Sequence, residues 1–285
     1  MSAVTVAKKD FEDAVRSRKL MLLTAVFALF TLGGAYLAAE FGELFGEELG
    51  DGAQSTIELV LALQTSAGFL VPIIALVVGY KAIAGERESG SLKFLLGLPH
   101  TRRDVVVGKI LGRSAVVAVS ILIGFGVGFV GLLAFVGSVS IVDYLLFTLV
   151  TILFGVVYVC LGVGVSSLTK STSRAAIGAF GIILFFWFLW STLVQVALYL
   201  VEGEFFMEEF PEWYISLLSI SPDAAYGSAI GAVFSDSSFT MADAYQYDVG
   251  ELPLVAEPWF GFVILALWAL FPLAIGLWAF GRADL

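Results

Sequence analysis

Polar residues fall along this chain in blocks, and between the blocks run six long apolar stretches: Leu20–Ala39, Leu59–Tyr80, Ser114–Gly137, Tyr144–Leu168, Ala175–Val201 and Trp259–Phe280. A helix needs about 20 apolar residues to cross a bilayer, and each stretch supplies them. None contains Lys, Arg, Asp, Glu or His. A membrane β-barrel would show segments of about ten residues alternating in polarity. The pattern therefore predicts an all-α membrane protein with six transmembrane helices, forming one transmembrane domain over residues 1–285. A cleaved secretory signal is the rival reading of the first stretch. Its length and the poor cleavage sequence Leu37-Ala38-Ala39 favour a retained helix.

Three shorter segments carry helical amphipathicity. In residues 1–19, Val4, Ala7, Phe11, Ala14 and Val15 share one face, while Lys8, Lys9, Asp10, Glu12, Asp13 and Arg16 take the rest. Such a helix is expected to lie along the inner membrane surface. In the 85–113 connection, Leu92, Leu95 and Leu96 fall at i, i+3 and i+4 after Glu86-Arg87-Glu88. That spacing predicts a short helix from Glu86, stopped by Gly97 and Pro99. A second helix is expected to start at Thr101, with Asp104 completing its cap, and to run through Gly108-Lys109 into the third span. In the 202–258 segment, Phe206, Phe210, Trp213, Tyr214 and Leu217 share a face opposite Glu208, Glu209 and Glu212. Aromatic residues favour membrane interfaces, so an interfacial anchor is one reading of this face.

All 15 lysines and arginines precede the first span, join the second to the third or the fourth to the fifth, or follow the sixth. Positive connections stay in the cytoplasm, which predicts a multi-pass plasma-membrane protein with both termini inside. The opposite side has no base and most of the 25 acids. It reads as a halophile-like acidic surface without a metal-loop spacing; a cation-attracting vestibule is the alternative.

Composition narrows the function. Only 14% of residues are charged and mean hydropathy is +0.97, against about 25% charged in soluble domains, which excludes a soluble enzyme. A net charge of −10 argues against nucleic acid as partner. The single histidine, His100, and the single cysteine, Cys160, are too few for a metal site, so none is expected. No catalytic residue is identified, since neither G-x-S-x-G nor H-E-x-x-H occurs. A P-loop is missing too: Gly108-Lys109 lacks the glycine five residues earlier and the following Ser or Thr. The polar residues within the spans, including Gln64, Thr148, Thr151 and Gln195, suit hydrogen bonds between helices. Gly124-x-x-x-Gly128 allows two helices to approach closely.

The run Glu86-x-Glu88-x-Gly90-Ser91-Leu92-x-x-Leu95-Leu96-x-x-Pro99-x-x-Arg102, followed by Gly108-Lys109, resembles the first cytoplasmic loop of ABC-2 type permeases. Ser91 stands where that family commonly has Thr. The N-terminal amphipathic helix, the six spans, the Ser221-Pro222 pair before the last span and the Arg282-Ala283-Asp284-Leu285 ending are also similar. Within the family the resemblance is nearest to the NosY-like branch.

The resemblance implies a coupling helix made of Glu86, Glu88, Gly90, Ser91, Leu92, Lys93, Leu95, Leu96, Pro99 and Arg102, with exposed Glu86, Glu88 and Lys93 docking an ATP-binding-cassette ATPase. It implies ATP and magnesium used by that partner, no cofactor bound by this chain, a second copy of the chain or a related permease, and membrane lipid around both. Phe206, Phe210, Trp213, Tyr214 and Pro222 become candidates for an outer gate. The expected function is movement of a substrate, by export, driven by ATP hydrolysed in a separate chain. A non-transporting scaffold or assembly factor is the alternative. An ion-coupled carrier is another, which the uncharged membrane interior weighs against.

Overall fold

The computed structural model describes residues 3–49, 54–92, 101–135, 139–205, 207, 209–234 and 252–282, and all their side chains except those of 38, 41–49 and 54–62. Most of the described residues are helical, and none of them forms a strand. In order they form α1 (Ala3–Val15), α2 (Arg18–Leu49), α3 (Gln54–Gly79), α4 (Ala84–Glu88), α5 (Arg102–Phe135), α6 (Ile141–Leu168), α7 (Thr172–Leu184), α8 (Ser191–Glu202), α9 (Glu212–Ser219), α10 (Pro222–Val233) and α11 (Phe260–Arg282). Six helices are long and apolar enough to cross a membrane, the fifth running from α7 through α8.

The chain forms two compact units, Met1–Phe180 with Trp268–Leu285, and Gly181–Leu267. In the first, α5 packs against α1, α2 and α6, and α3 packs against α2 and α6. Lipid is as apolar as the helices, so their association rests on close packing and hydrogen bonds rather than on expulsion of water. The glycine pair of α5 provides both. Gly124 and Gly128 face Phe27 and Thr31 of α2, Thr31 donates to the Gly124 carbonyl at 2.7 Å, and Thr24 donates to Ser120 at 2.9 Å. Between α3 and α6, Gly79 meets Gly162, and a methyl group on either would sit 3.2 Å from the other's Cα. The hydroxyls of Thr148 and Thr151 bond the carbonyls of Tyr144 and Phe147 one turn back within α6.

The fifth span departs from the continuous α-helix expected of it. Between α7 and α8, Phe185–Trp190 forms a π-helical turn. An i→i+5 turn brings Phe185 and Trp190 together, with ring centroids 5.8 Å apart, and crowding among these bulky side chains accompanies the wider turn. α8 ends at Gly203, whose φ of +85° closes the helix in the left-handed region.

In the second unit α9 and a 3-10 turn (Leu254–Ala256) pack against α8 around a core of Val194, Leu198, Tyr214, Ile215 and Ala256. α9 begins at Glu212, later than the amphipathic pattern expects. Pro211 disfavours helical geometry at the preceding residue, so Phe210 lies ahead of the helix. Ser221 caps α10 by accepting from the Ala224 amide at 3.1 Å, with Pro222 at the first turn, where its missing N–H costs nothing.

Candidate functional site

α4 and the residues after it carry the candidate coupling motif. Between α3 and α4 the helical pattern is interrupted by a turn at Tyr80–Ile83, where the buried amides of Ile83 and Ala84 need acceptors. Ser166 of α6 supplies one oxygen for both, 3.0 Å from the Ile83 nitrogen and 2.9 Å from that of Ala84. α4 ends at Glu88, and Gly90 follows with a φ of +76°. Only glycine takes this conformation without strain. Ser91 and Leu92 resume helical geometry. The single helix expected from Glu86 onward is therefore interrupted at Ser89 and Gly90, and across the break the Ser89 and Ser91 hydroxyls bond each other at 3.0 Å. Leu92 is buried and Ser91 exposed. Lys93, Leu95, Leu96 and Pro99 lie outside the described residues.

The acidic residues of the motif do not stand free. Glu88 is exposed but accepts from the Thr172 amide at 2.9 Å, capping the first turn of α7. Glu86, expected to be exposed, is partly buried and pairs with Lys109 of α5 at 2.5 Å. The correction has a physical cause. α4 is a helix of five residues lying against α5, so one of its acids faces inward and meets a base there.

Lys109 also holds Asp10 of α1 at 2.8 Å. Arg113, one turn further along α5, donates to Asp10 at 2.9 Å, and its Nε lies 2.7 Å from the other Asp10 oxygen. Asp10 and Lys109 are each 4% exposed. Two acids balance two bases, so the cluster buries no net charge. Removing one partner of such a pair leaves a buried charge unpaired, at a cost of about 3–5 kcal/mol.

This cluster requires that α1 sit directly on α5, and two glycines allow it. A methyl group on Gly108 would fall 2.6 Å from the Val6 Cβ and 2.7 Å from the Ala3 carbonyl oxygen; one on Gly112 would fall 2.7 Å from the Ala7 carbonyl oxygen. α1 buries Val6, Asp10 and Ala14. Its inward face is therefore centred on the acid that amphipathicity had placed on the polar side, and Val4 is exposed. Of the face expected to lie on the membrane, Ala14 alone is buried against the protein, while Val4, Ala7, Phe11 and Val15 keep exposed surface. A signal for this was present as Gly108-Lys109-x-x-Gly112-Arg113: a small residue and a base repeat at i, i+4, the spacing of one helical face.

α5 starts with the reciprocal cap expected at Thr101 and Asp104. The Thr101 amide and hydroxyl donate to Asp104 at 3.0 and 2.7 Å, and the Asp104 amide donates back at 3.1 Å. Arg102 then donates to the Phe280 and Gly281 carbonyls at 2.9 and 3.1 Å. Arg87 does the same for Ser167 and Thr169 at 3.0 and 3.3 Å. Each arginine thus fills orphan carbonyls at a helix C-terminus, of α11 and α6 respectively. Both guanidinium groups lie over the Phe280 ring, 5.0 and 6.0 Å from its centre.

Matching against protein families and curated proteins places this geometry. A model of the ABC-2 family transporter proteins matches residues 4–285. The chain belongs to the ABC-2 transporter family. It is 33% identical over 280 residues to a probable ABC transporter permease protein, NosY, of Pseudomonas aeruginosa, covering 96% of this chain and 92% of that one. It is 29% identical over 279 residues to a probable NosY permease of Stutzerimonas stutzeri, covering 93% and 96%. This ABC-2 chain is thus a multi-pass permease subunit of an ABC transporter, and the family implies association with an ATP-binding-cassette ATPase.

The outer-gate candidates of the permease fall in the second unit and pack inward. Tyr214 is buried and donates to Gln195 of α8 at 2.6 Å, while Gln195 donates to the Phe205 carbonyl at 2.8 Å. Phe210 stacks on Tyr214 with centroids 5.0 Å apart, and Trp213 meets Tyr214 edge-on at 6.2 Å. Trp190, at the end of the π turn, donates to the Leu217 carbonyl at 3.2 Å. Pro222 is buried in the first turn of α10. Phe206 lies outside the described residues. Motif reading missed Gln195 and Trp190 as partners of this face; their polar atoms amid apolar neighbours were the available signal.

Proposed function

We propose that this permease exports its substrate as a pair of like chains, with both termini in the cytoplasm and ATP hydrolysed on magnesium by two separate ATPase chains docked at residues 85–113. The observation that carries the reading is the anchoring of α4 and its following turn. Ser166 holds one end to α6, Glu86 and Lys109 hold the helix to α5, and Glu88 ties it to the start of α7. A partner pressing on exposed Ser91 moves against three spans at once. An interfacial helix resting on lipid has no use for such fastening. The acidic 202–258 segment suits a halophile-like outer surface, and Phe210, Trp213, Tyr214 and Pro222 cover the outer end of α8 as a gate.

Replacing exposed Ser91 by arginine tests docking, because the bulky charge projects toward the partner without touching the internal ties. Purification of the tagged chain from its native cell in mild detergent is expected to recover a stoichiometric ATPase with the unsubstituted chain and much less with Ser91→Arg. Recovery of the unsubstituted chain without any ATPase, under conditions where other membrane complexes survive, favours the scaffold reading instead.

A further inference from the structure

The family motif includes Glu86 and Lys109 but gives no role to the contact they make with Asp10 and Arg113, a four-charge cluster that contains the most deeply buried ionic groups among the described residues. We propose that Lys109 is a positioning residue: it locks the coupling segment to the N-terminal helix, so that α1, α5 and residues 84–92 respond to the ATPase as one body. The proposal rests on the permease reading above.

The geometry is a bridge rather than a pair. One ammonium nitrogen meets Asp10 of α1 at 2.8 Å and Glu86 of α4 at 2.5 Å. Without Lys109 these helices have no described ionic contact with each other. The second Glu86 oxygen is buried and has no hydrogen-bond partner among the described residues, so its carboxylate depends on Lys109. Arg113 satisfies Asp10 from the other side, leaving Lys109 free to reach toward Glu86. Gly108 and Gly112 bring α1 close enough for one side chain to span both neighbours.

Stability alone is a poor explanation for this arrangement. Well-packed apolar side chains at buried ion-pair positions are often as stabilising or more so, because the charges need not be desolvated. A buried lysine between two carboxylates supplies instead a directional link among three elements that are far apart in sequence. Since Ser166 fastens the other end of α4 to α6, force on the segment reaches α5 and α1 through Lys109.

The test uses the full chain, with and without its co-purified ATPase. Spin labels at Lys9→Cys and Ser89→Cys, with buried Cys160 replaced by alanine, report the separation of α1 from the segment. Lys109→Met keeps the length of the side chain and removes the charge. It is expected to broaden the label distances and to lower ATPase stimulation by about fivefold or more, as befits a coupling energy between sites, with the amount of bound ATPase unchanged. Lys109→Arg is expected to restore both. Glu86→Gln, which spares the more buried Asp10 pair, is expected to reproduce the loss, and to add nothing when combined with Lys109→Met, because both substitutions break one link. Native label distances or native stimulation in Lys109→Met overturns the proposal and leaves the permease reading intact. Lack of a bound ATPase with the unsubstituted chain overturns the permease reading itself, and the label distances then judge the bridge separately.

Discussion

At the scale of single residues, much of the segment between α3 and α5 is fixed by atoms that satisfy otherwise stranded backbone groups. Ser166 is the clearest case. It is fully buried, and its one hydroxyl oxygen accepts from both Ile83 and Ala84, also buried. Among the described residues neither amide has another acceptor. A buried donor left without a partner costs about 1–3 kcal/mol. Ser166→Ala therefore removes acceptors for two amides while changing volume by a single oxygen, and should lower stability by roughly 2–4 kcal/mol, less whatever water recovers. Ser167→Ala is the fitting control, because among the described residues the Ser167 hydroxyl bonds only the Val163 carbonyl of its own helix. Thermal unfolding in detergent should separate the two by several degrees. Equal midpoints would show that the turn between α3 and α4 is held by something other than this hydroxyl. Nothing in the sequence distinguishes Ser166 from Ser167. Their roles are set by which one the helix turns toward the Tyr80–Ile83 bend.

Helices were legible where a local rule sufficed and illegible where a distant partner decided. Thr101 and Asp104 sit three residues apart, so the start of α5 could be read from spacing alone. Gly90 broke the expected coupling helix because a single glycine within an otherwise helical pattern does not reveal the sign of its φ. The π turn at Phe185–Trp190 was equally hidden, since apolar periodicity is the same for a lipid-facing α-helix of that length. α1 shows the limit: its helical nature was plain, but apolar periodicity does not point to the face that meets α5, because Asp10 is buried by bases about a hundred positions away. The face packed on α5 makes a prediction for the element. Alanine at Gly108 would place its methyl against Val6 and the Ala3 carbonyl, and alanine at Gly112 would press on the Ala7 carbonyl. Backbone cannot yield as a flexible side chain does, so either substitution should lift α1 from α5. Amide exchange across residues 3–15 should accelerate strongly in both variants, reflecting local opening. Gly126→Ala, whose methyl meets nothing within 4 Å, should leave it unchanged. Slow exchange in all three variants would mean that α1 is held elsewhere.

At the scale of the whole chain, the six spans were readable because a bilayer imposes a rule that water does not: backbone groups within it must bond internally, and side chains facing it must be apolar. A second rule, the retention of positive connections in the cytoplasm, predicts which way the spans point. The structure adds a reason to expect a strong bias. Arg87 after α3 and Arg102 at the start of α5 converge on Phe280 near the end of α11, where Arg282 lies over Trp278. Basic residues from separate connections thus share one end of the first unit, and reversing the chain would require carrying all of them across together. Single cysteines in a Cys160→Ala background make the orientation measurable. At Asp51 and Asp236, in the acidic connections, cysteines should react on intact cells with a maleimide that cannot cross the membrane. At Ser91, exposed beside the coupling turn, a cysteine should react only after the membrane is opened. Labelling of Ser91→Cys on intact cells, with Asp51→Cys and Asp236→Cys protected, would place the coupling segment outside, where no ATPase has ATP to bind. The positive-inside argument and the docking proposal would then fall together.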